Sequence, residues 1–305
     1  MVQSRNTHNQ HIERVNEALH HIHSQLAAGL DINALARTAC YSVHHFQRIF
    51  REITGESVHD YIRRSRLEWA ANLLVFNPES PIIEVANECG FKSSASFNHA
   101  FKTYFAYTPG AWRKEGYDLK SLELKQSWSD SAGNPHSEYY RELPIAGEQL
   151  TDVRLKRLES VRVAYIRHRG YDPAISECWQ RLLHWAESQG IDPADQKMLG
   201  LHHSNPDLVP FDQCRYVACL TVPDTVYRNR GIGVMSIPGG LYACCRAEGA
   251  FSDLLYLMRD ITQRWLPASD YRALNIPSHA LYRENHFINQ SGRFNLEFRL
   301  PVTMK

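Results

Sequence analysis

At 305 residues the chain is longer than one hydrophobic core usually serves, so two domains are expected. Its 34 Lys and Arg against 33 Asp and Glu leave a net charge of +1, which excludes a polycationic tail protein and gives composition no argument for nucleic acid. Seven cysteines exclude a disulfide scaffold, and the polar start Met1–Asn6 and the absence of any apolar run near the ~18 residues of a membrane span point to a cytoplasmic chain with no membrane partner.

The first third reads as helix. Ile12, Val15, Leu19, Ile22 and Leu26 step by three and four along one face, and Gly29 stops the run. Asp31 is placed to cap a short helix over 32–38, and Ala39-Cys40-Tyr41 turns into a second helix capped by Ser42. A long helix from Ser57 to Phe76 follows. Then Ser80 caps, Pro81 takes the first helical position, Gly90-Phe91 makes the turn, and Ser93 caps the next helix. Residues 117–140 are rich in Ser, Gly, Asn and Pro, and the domain boundary is expected there. Strand-like writing begins around 153–166 and returns at 216–222.

Each half carries an internal repeat. Ala36 and Tyr41 recur as Ala86 and Phe91 at an offset of 50, and Phe46, Phe50 and Tyr61 as Phe97, Phe101 and Trp112 at an offset of 51. In the second half, Val161–Tyr165 and Gly170 correspond to Gly240–Cys244 and Gly249 at an offset of 79, and Thr221–Pro223 to Arg299–Pro301 at 78. Each later unit runs strand, Gly turn, long helix ending near Trp185 or Trp265, then further strands.

In the helical repeat, Phe46, Ile49, Phe50 and Ile53 occupy one face of the second helix, and Phe97, Ala100, Phe101 and Tyr104 occupy the matching face of its copy. Outward fall His44, His45, Gln47, Arg48 and Arg51, and in the copy Ser94, Ser96, Asn98, His99 and Lys102. Most are donors long enough to reach base edges or phosphates. Ala36 opposite Phe46, and Ala86 opposite Phe97, supply the small-against-large pairing that lets two short helices cross closely. An ordinary amphipathic bundle is the alternative; two units of shared spacing on one connecting helix favour DNA. Counting residues 1–120 gives 13 basic against 12 acidic, so the case rests on the crowding of His44, His45, Arg48, Arg51, Arg63, Arg64 and Arg66.

These residues resemble the DNA-binding domain of AraC-family transcriptional regulators. The signature is Ile83–Phe91, then Ser96–Lys102, then Thr108–Arg113, with Tyr41-Ser42, Phe46–Phe50, Thr54-Gly55 and Tyr61–Arg63 resembling the family's upstream repeat. The resemblance implies base reading by His44, Gln47 and Arg48 in the first copy and by Ser94, Ala95, Asn98 and His99 in the second. The family often has Arg at the place of His99 and Gly at that of Ala106. A neutral imidazole offers one donor where a guanidinium offers a fork, so the first copy is expected to dominate specificity.

The second repeat implies an α+β domain of two pseudo-twofold strand–helix–strand–strand units, with helices backing an antiparallel sheet and a groove between the copies. Val163-Ala164, Gly170, Trp179, Trp185, Ile237–Tyr242, Trp265–Tyr271 and Leu300–Val302 resemble the gyrase-inhibitor-like (GyrI-like) effector-binding fold, and the whole resembles the Rob-type arrangement. The organisation expected is 8–116 for the double helix-turn-helix domain, 117–150 for a linker long enough for loose tethering, and 151–305 for the effector-binding domain. A pocket lined by Tyr165, Trp179, Tyr242, Phe251 and Tyr282 is expected. Relatives that bind cationic drugs carry a buried acid two residues before the position of Tyr282; Ala280 stands there, leaving a neutral or anionic ligand as open as a cationic one.

Sixteen histidines raise the question of metal, yet there is no Cys-x-x-Cys and no His-Glu-x-x-His, so no metal and no cofactor is expected. Cys244-Cys245 is read as alternating across a strand with one thiol buried, and Gly231-Ile232-Gly233 lacks the third glycine of a nucleotide loop. The reading is a non-enzymatic transcription regulator, an activator by family resemblance, with double-stranded DNA, RNA polymerase and a small-molecule effector as partners. The alternatives are a module that sequesters a compound or protein with weak DNA binding and, behind it, a hydrolase of the C-terminal fold.

Overall fold

The computed structural model describes residues 2–129 and 152–305, with side chains from 7 to 124 and from 152 onward except 251 and 252. The helical domain comprises α1 (Val2–Ser24), α2 (Ile32–Thr38), α3 (Val43–Thr54), α4 (Val58–Phe76), α5 (Ile82–Glu88) and α6 (Ser94–Phe105). It closes with a continuous rod of α7 (Pro109–Ala111), a π-helical turn (Trp112–Gly116) and α8 (Tyr117–Ser129). Asp31 and Ser93 cap as the sequence indicates, the Asp31 carboxylate accepting from Asn33 N and Ala34 N. Two caps differ. Ser42 stands at the N-cap of α3 without a side-chain cap bond, and Pro81, not Ser80, occupies the N-cap of α5. The stretch expected to be turn-rich is helical over 117–129 because it continues the rod begun at Pro109 and buries Tyr117 and Ser121; the rest of the expected linker, 130–150, lies outside the described residues.

The C-terminal domain comprises β1 (Arg154–Leu158), β2 (Val161–Arg169), α9 (Ile175–Ser188), β3 (Met198–His202), β4 (Arg215–Thr221), β5 (Gly233–Ile237) and β6 (Gly240–Gly249). It continues with α10 (Phe251–Arg259), a π-helical segment (Asp260–Trp265), α11 (Leu266–Ala268), β7 (Tyr271–Ala273), β8 (Ser278–Glu284) and β9 (Phe294–Met304). All pairings are antiparallel, in the order β1-β6-β9-β8-β3-β4-β2-β5, with β7 beside β9. That order is a palindrome of the repeat: β3 and β8 meet at its centre, and the leading strand of each unit, β1 or β5, crosses to pair with the first strand of the other. The offset of 79 carries β1 onto β5 residue for residue (154–158 onto 233–237).

Alternation along the strands sorts side chains onto two faces. Ala164, Ile166, Tyr216, Ala218, Ala243, Cys245, Ala280, Tyr282 and Phe298 share the core that includes α9 and α10. Val163, Tyr165, Leu199, Leu201, Val217, Cys219, Met235 and Ile237 form a separate cluster on the other face. Cys244 and Cys245 therefore point to opposite faces, but both are buried, Cys245 in the helix-covered core and Cys244 beside Lys156, Glu297 and Arg299 of the flanking strands. All seven cysteines are free thiols. Among the described residues, no helix is long and apolar enough to cross a membrane, and no His, Cys, Asp and Glu cluster could hold a metal ion.

Candidate nucleic-acid interface and the domain junction

Both helix-turn-helix units are built alike. In the first, Leu35, Ala36, Phe46, Ile49 and Phe50 are buried while His44, His45, Gln47, Arg48 and Arg51 are exposed on α3. Arg48 meets only His45 Nε2 at 3.3 Å and Glu52 at 3.6 Å, both exposed, so its guanidinium can leave for another acceptor at little cost. His45 is stacked on the Tyr41 ring at 4.7 Å. In the second unit, Val85, Ala86, Phe97, Phe101 and Phe105 are buried; Ala95, Ser96, Asn98, His99 and Lys102 are exposed, and Ser94 is half-buried. Tyr104, expected inward, is exposed, and its hydroxyl donates to Glu68 at 3.2 Å across to α4.

The expected basic crowd is thinner than its sequence. Arg64 is held between Glu56 and Glu68, at 3.0 and 2.9 Å, over the Tyr61 ring. Burial opposes its charge, but Glu68, Tyr61 and Glu56 outweigh that and raise its pKa. Arg66 donates to the carbonyls of Leu26, Ala28 and Gly90, tying the end of α1 to the second turn. Neither is available to a phosphate. Arg63 is exposed but paired with Asp60 at 2.5 Å, which leaves Arg48, Arg51 and Lys102 as the accessible cations of the two second helices.

Of the five residues expected to line one pocket, the four whose side chains are described do not gather at one place. Trp179 and Tyr282 meet edge to face at 6.0 Å on the helix-covered face, where Ala280 is fully buried and Tyr216 hydrogen-bonds Tyr282 at 3.4 Å. Tyr165 lies on the opposite face, its hydroxyl 3.5 Å from the Asn16 carbonyl of α1. Tyr242 is buried beside His279 and donates to the Pro238 carbonyl at 2.6 Å. The side chain of Phe251 lies outside the described residues. Burial pushes the phenols of Tyr165, Tyr216 and Tyr282 up.

What the structure does assemble is a junction between the domains, in place of loose tethering. Along α1, Glu13 accepts from Gly231 N at 2.7 Å, Glu17 pairs with Arg228 at 2.7 Å, and the His23 ring meets that of His203 at 4.5 Å, tilted by 51°. Glu56, just past α3, pairs with Arg215 as well as Arg64. Asn205 donates to Asn72 at 2.8 Å, and Asp207 gathers Tyr117, Ser121 and Arg259. Between these contacts lies a cavity of about 180 Å³, walled by α4 (Ser65, Glu68, Trp69, Asn72, Leu73, Phe76), the loop after β3 (His202–Val209), α10 and residues 273–278. Burial lowers the pKa of His202 to about 3, with His286 adding to the effect, and holds His23 and His203 well below the usual histidine value. All three are neutral near pH 7. Sequence draws attention to Arg64 only as a DNA contact and to Gly231 only within an incomplete nucleotide loop; the adjacent His202-His203 at a strand end is the available signal of the junction.

Residues 151–303 match the family described as a GyrI-like small molecule binding domain, which is half the chain. The chain belongs to the GyrI-like family. Residues 35–115 match a helix-turn-helix domain, so this member joins an AraC-type helical domain to the GyrI-like one in the Rob-type order. The helical part is 36% identical over 104 residues to the probable transcription factor PqrA of Proteus vulgaris (33% of this chain, 84% of that one). It is also 36% identical over 84 residues to the regulatory protein SoxS of Escherichia coli (28% of this chain, 78% of that one). The Msm operon regulatory protein of Streptococcus mutans matches at 38% over 101 residues, 33% of this chain and 36% of its own length. Among solved structures, the DNA-binding domain of AdpA in complex with a target DNA aligns at 26% identity and TM-score 0.33 (35% of this chain, 96% of that one). The EcmrR C-terminal domain aligns at 16% and 0.39 (52% of this chain, 100% of that one).

Proposed function

We propose that this GyrI-like protein is a sequence-specific, double-stranded-DNA-binding transcription regulator, an activator that sets itself beside RNA polymerase and answers to a small-molecule effector held by its C-terminal half. The observation that carries the reading is the pair of helix-turn-helix units, each with a buried aromatic seam and a solvent-facing row of donors, strung on α4. His44, Gln47, Arg48 and Arg51 would meet base edges and phosphates from the first unit, with Asn98, His99 and Lys102 from the second. Arg48 is the strongest candidate reader, since a guanidinium binds guanine bidentately whereas His99 can offer a single donor. Few free cations face outward, so affinity is modest and each phosphate contact adds to the salt slope. Selecting sites from random DNA tests the reading: a recovered motif spanning about two helical turns is expected if both units engage. Arg48→Ala should then cost about 1–3 kcal/mol on the selected site and much less on random DNA. Equal loss on both, or no motif recovered, overturns the assignment.

A further inference from the structure

The junction cavity stands apart from the aromatic pocket the family resemblance led us to expect, and its walls come from both domains. We infer that it is a binding site for a small neutral molecule with one aromatic ring and a hydroxyl, of the phenol or benzyl alcohol class, whose occupancy sets how α4 sits on the C-terminal domain.

Size comes first. An apolar cavity of about 150 Å³ takes a benzene ring, so about 180 Å³ takes a ring with a small substituent. Leu26, Trp69, Leu73, Phe76, Met258 and Phe298 supply a wall that suits the ring. Polarity comes next. His202, His203 and Tyr256 line the cavity, and His202 Nε2, His203 Nε2 and the Tyr256 hydroxyl are each buried without a hydrogen-bond partner. His202 is 94% buried, and its other ring nitrogen is already engaged by the Tyr171 hydroxyl at 3.0 Å, which fixes the ring and leaves Nε2 for an occupant. An unmatched buried polar atom is costly, so an occupant whose hydroxyl meets one of them is favoured over a purely apolar one.

Charge then narrows the class. Every arginine on the wall has its carboxylate: Arg64 has Glu56 and Glu68, Arg215 has Glu56, and Arg259 has Asp207. With the three histidines uncharged, no surplus charge awaits a counter-ion, and an ionised ligand would be desolvated without compensation. Because α4 carries both helix-turn-helix units and forms one wall, an occupant acts on the part of the molecule that fixes their spacing. This last step rests on the regulator reading; the site itself does not.

Calorimetry on the full chain without DNA tests the site, using phenol and benzyl alcohol against toluene, benzoate and benzylamine. The hydroxyl compounds should bind, with toluene about tenfold weaker for want of a hydrogen bond and both ions weaker still. Ser65→Phe from one wall and Ala273→Phe from the other should each abolish binding, and His203→Phe should weaken phenol about tenfold while leaving toluene unchanged. On the unaltered protein, phenol should shift the imidazole nitrogen resonances of His202 and His203, so the site stays testable if a filling variant does not fold. No binding, preference for an ion, or binding that leaves both histidines unshifted overturns the proposal. Adding phenol to the selected DNA complex then tests coupling alone. Binding at the cavity with no selectable DNA site would remove the regulator reading and leave the site standing, whereas a DNA site indifferent to phenol would remove only the coupling.

Discussion

The two helix-turn-helix units share one architecture and are anchored very differently. Both turn through a left-handed residue, Cys40 at φ 56° in the first and Gly90 at 77° in the second, and both end their second helix on another, Gly55 at 81° and Ala106 at 65°. Glycine thus sits at opposite ends of the two copies. Gly90 has no alternative, because a Cβ there would lie 2.7 Å from the Ala27 carbonyl oxygen. The first unit is bound to the C-terminal domain by Glu56, whose carboxylate serves Arg64 and Arg215 at once with all three side chains 13–21% exposed. The helices of the second unit have Glu88 with Arg272 at 3.6 Å, half open to solvent. The difference teaches that two units of one architecture can meet the neighbouring domain through different chemistry: the first through a shielded ion network, the second through an open ion pair and a hydrophobic core that runs on into the C-terminal domain.

The sharpest way to break that comparison is at the two ion pairs. Glu56→Ala strips Arg215 of its carboxylate beside Arg64, which keeps only Glu68, in a largely dry site, and about 3 kcal/mol of stability should go. Arg272→Ala at the second unit should cost about 0.5 kcal/mol or less. Denaturant unfolding followed separately by tryptophan emission and helical dichroism checks both. Glu56→Ala should split one transition into two, and Arg272→Ala should not. Equal effects would mean that both copies share the anchoring.

Protonation offers the next largest effect. His23 and His203 sit together beside the first unit, with His202 behind them, all with pKa values lowered by burial. The unfolded chain binds protons at these groups below about pH 6.5 and the folded chain does not, so their contribution is complete above pH 6.5 and is lost as pH falls toward the folded value, about 3 for His202. Each histidine can add a slope of up to about 1.4 kcal/mol per pH unit in that range. Stability measured from pH 7 to pH 4.5 should fall, and His203→Phe should flatten the curve by one proton's worth. An unchanged slope would show that His203 titrates normally in the folded chain.

What could be read from sequence follows how local each signal is. The bounds of α2 and the turn at Gly90 are legible because Asp31 and the positive φ act within four residues, and the 79-residue offset sets β2 and β6 as counterparts. Tyr104 was misplaced because helical spacing ignores the reach of a phenol to Glu68 on α4. Residues 117–129 were misjudged because their serines weigh against helix, while burial of Tyr117 and Ser121 against Asp207 outweighs propensity. Tyr165 and Tyr282 part company on strand parity: a side chain's face in a sheet depends on register, which a lone tyrosine does not state. The junction cavity joins residues from His23 to Leu300, a sequence separation that no periodicity reports.

The smallest effect is the most diagnostic of the repeat itself. Ala106 holds a conformation that costs an L-residue about 1–2 kcal/mol, at the place where the first copy has Gly55. Ala106→Gly removes that strain but gives the unfolded chain more freedom, worth about 0.4–1 kcal/mol against it. A net gain of about 0.5–1 kcal/mol is expected, seen as a higher thermal midpoint and slower amide exchange at the end of α6. The reciprocal Gly55→Ala should lose about as much, since its Cβ would approach only the mobile tip of Arg169, at 2.9 Å. If Ala106→Gly gained nothing, the left-handed strain would be absorbed by the surrounding turn, and the two copies would differ in local energetics as well as in anchoring. DNA affinity should stay unchanged in both variants, because neither position lies on the row of donors that α3 and α6 present.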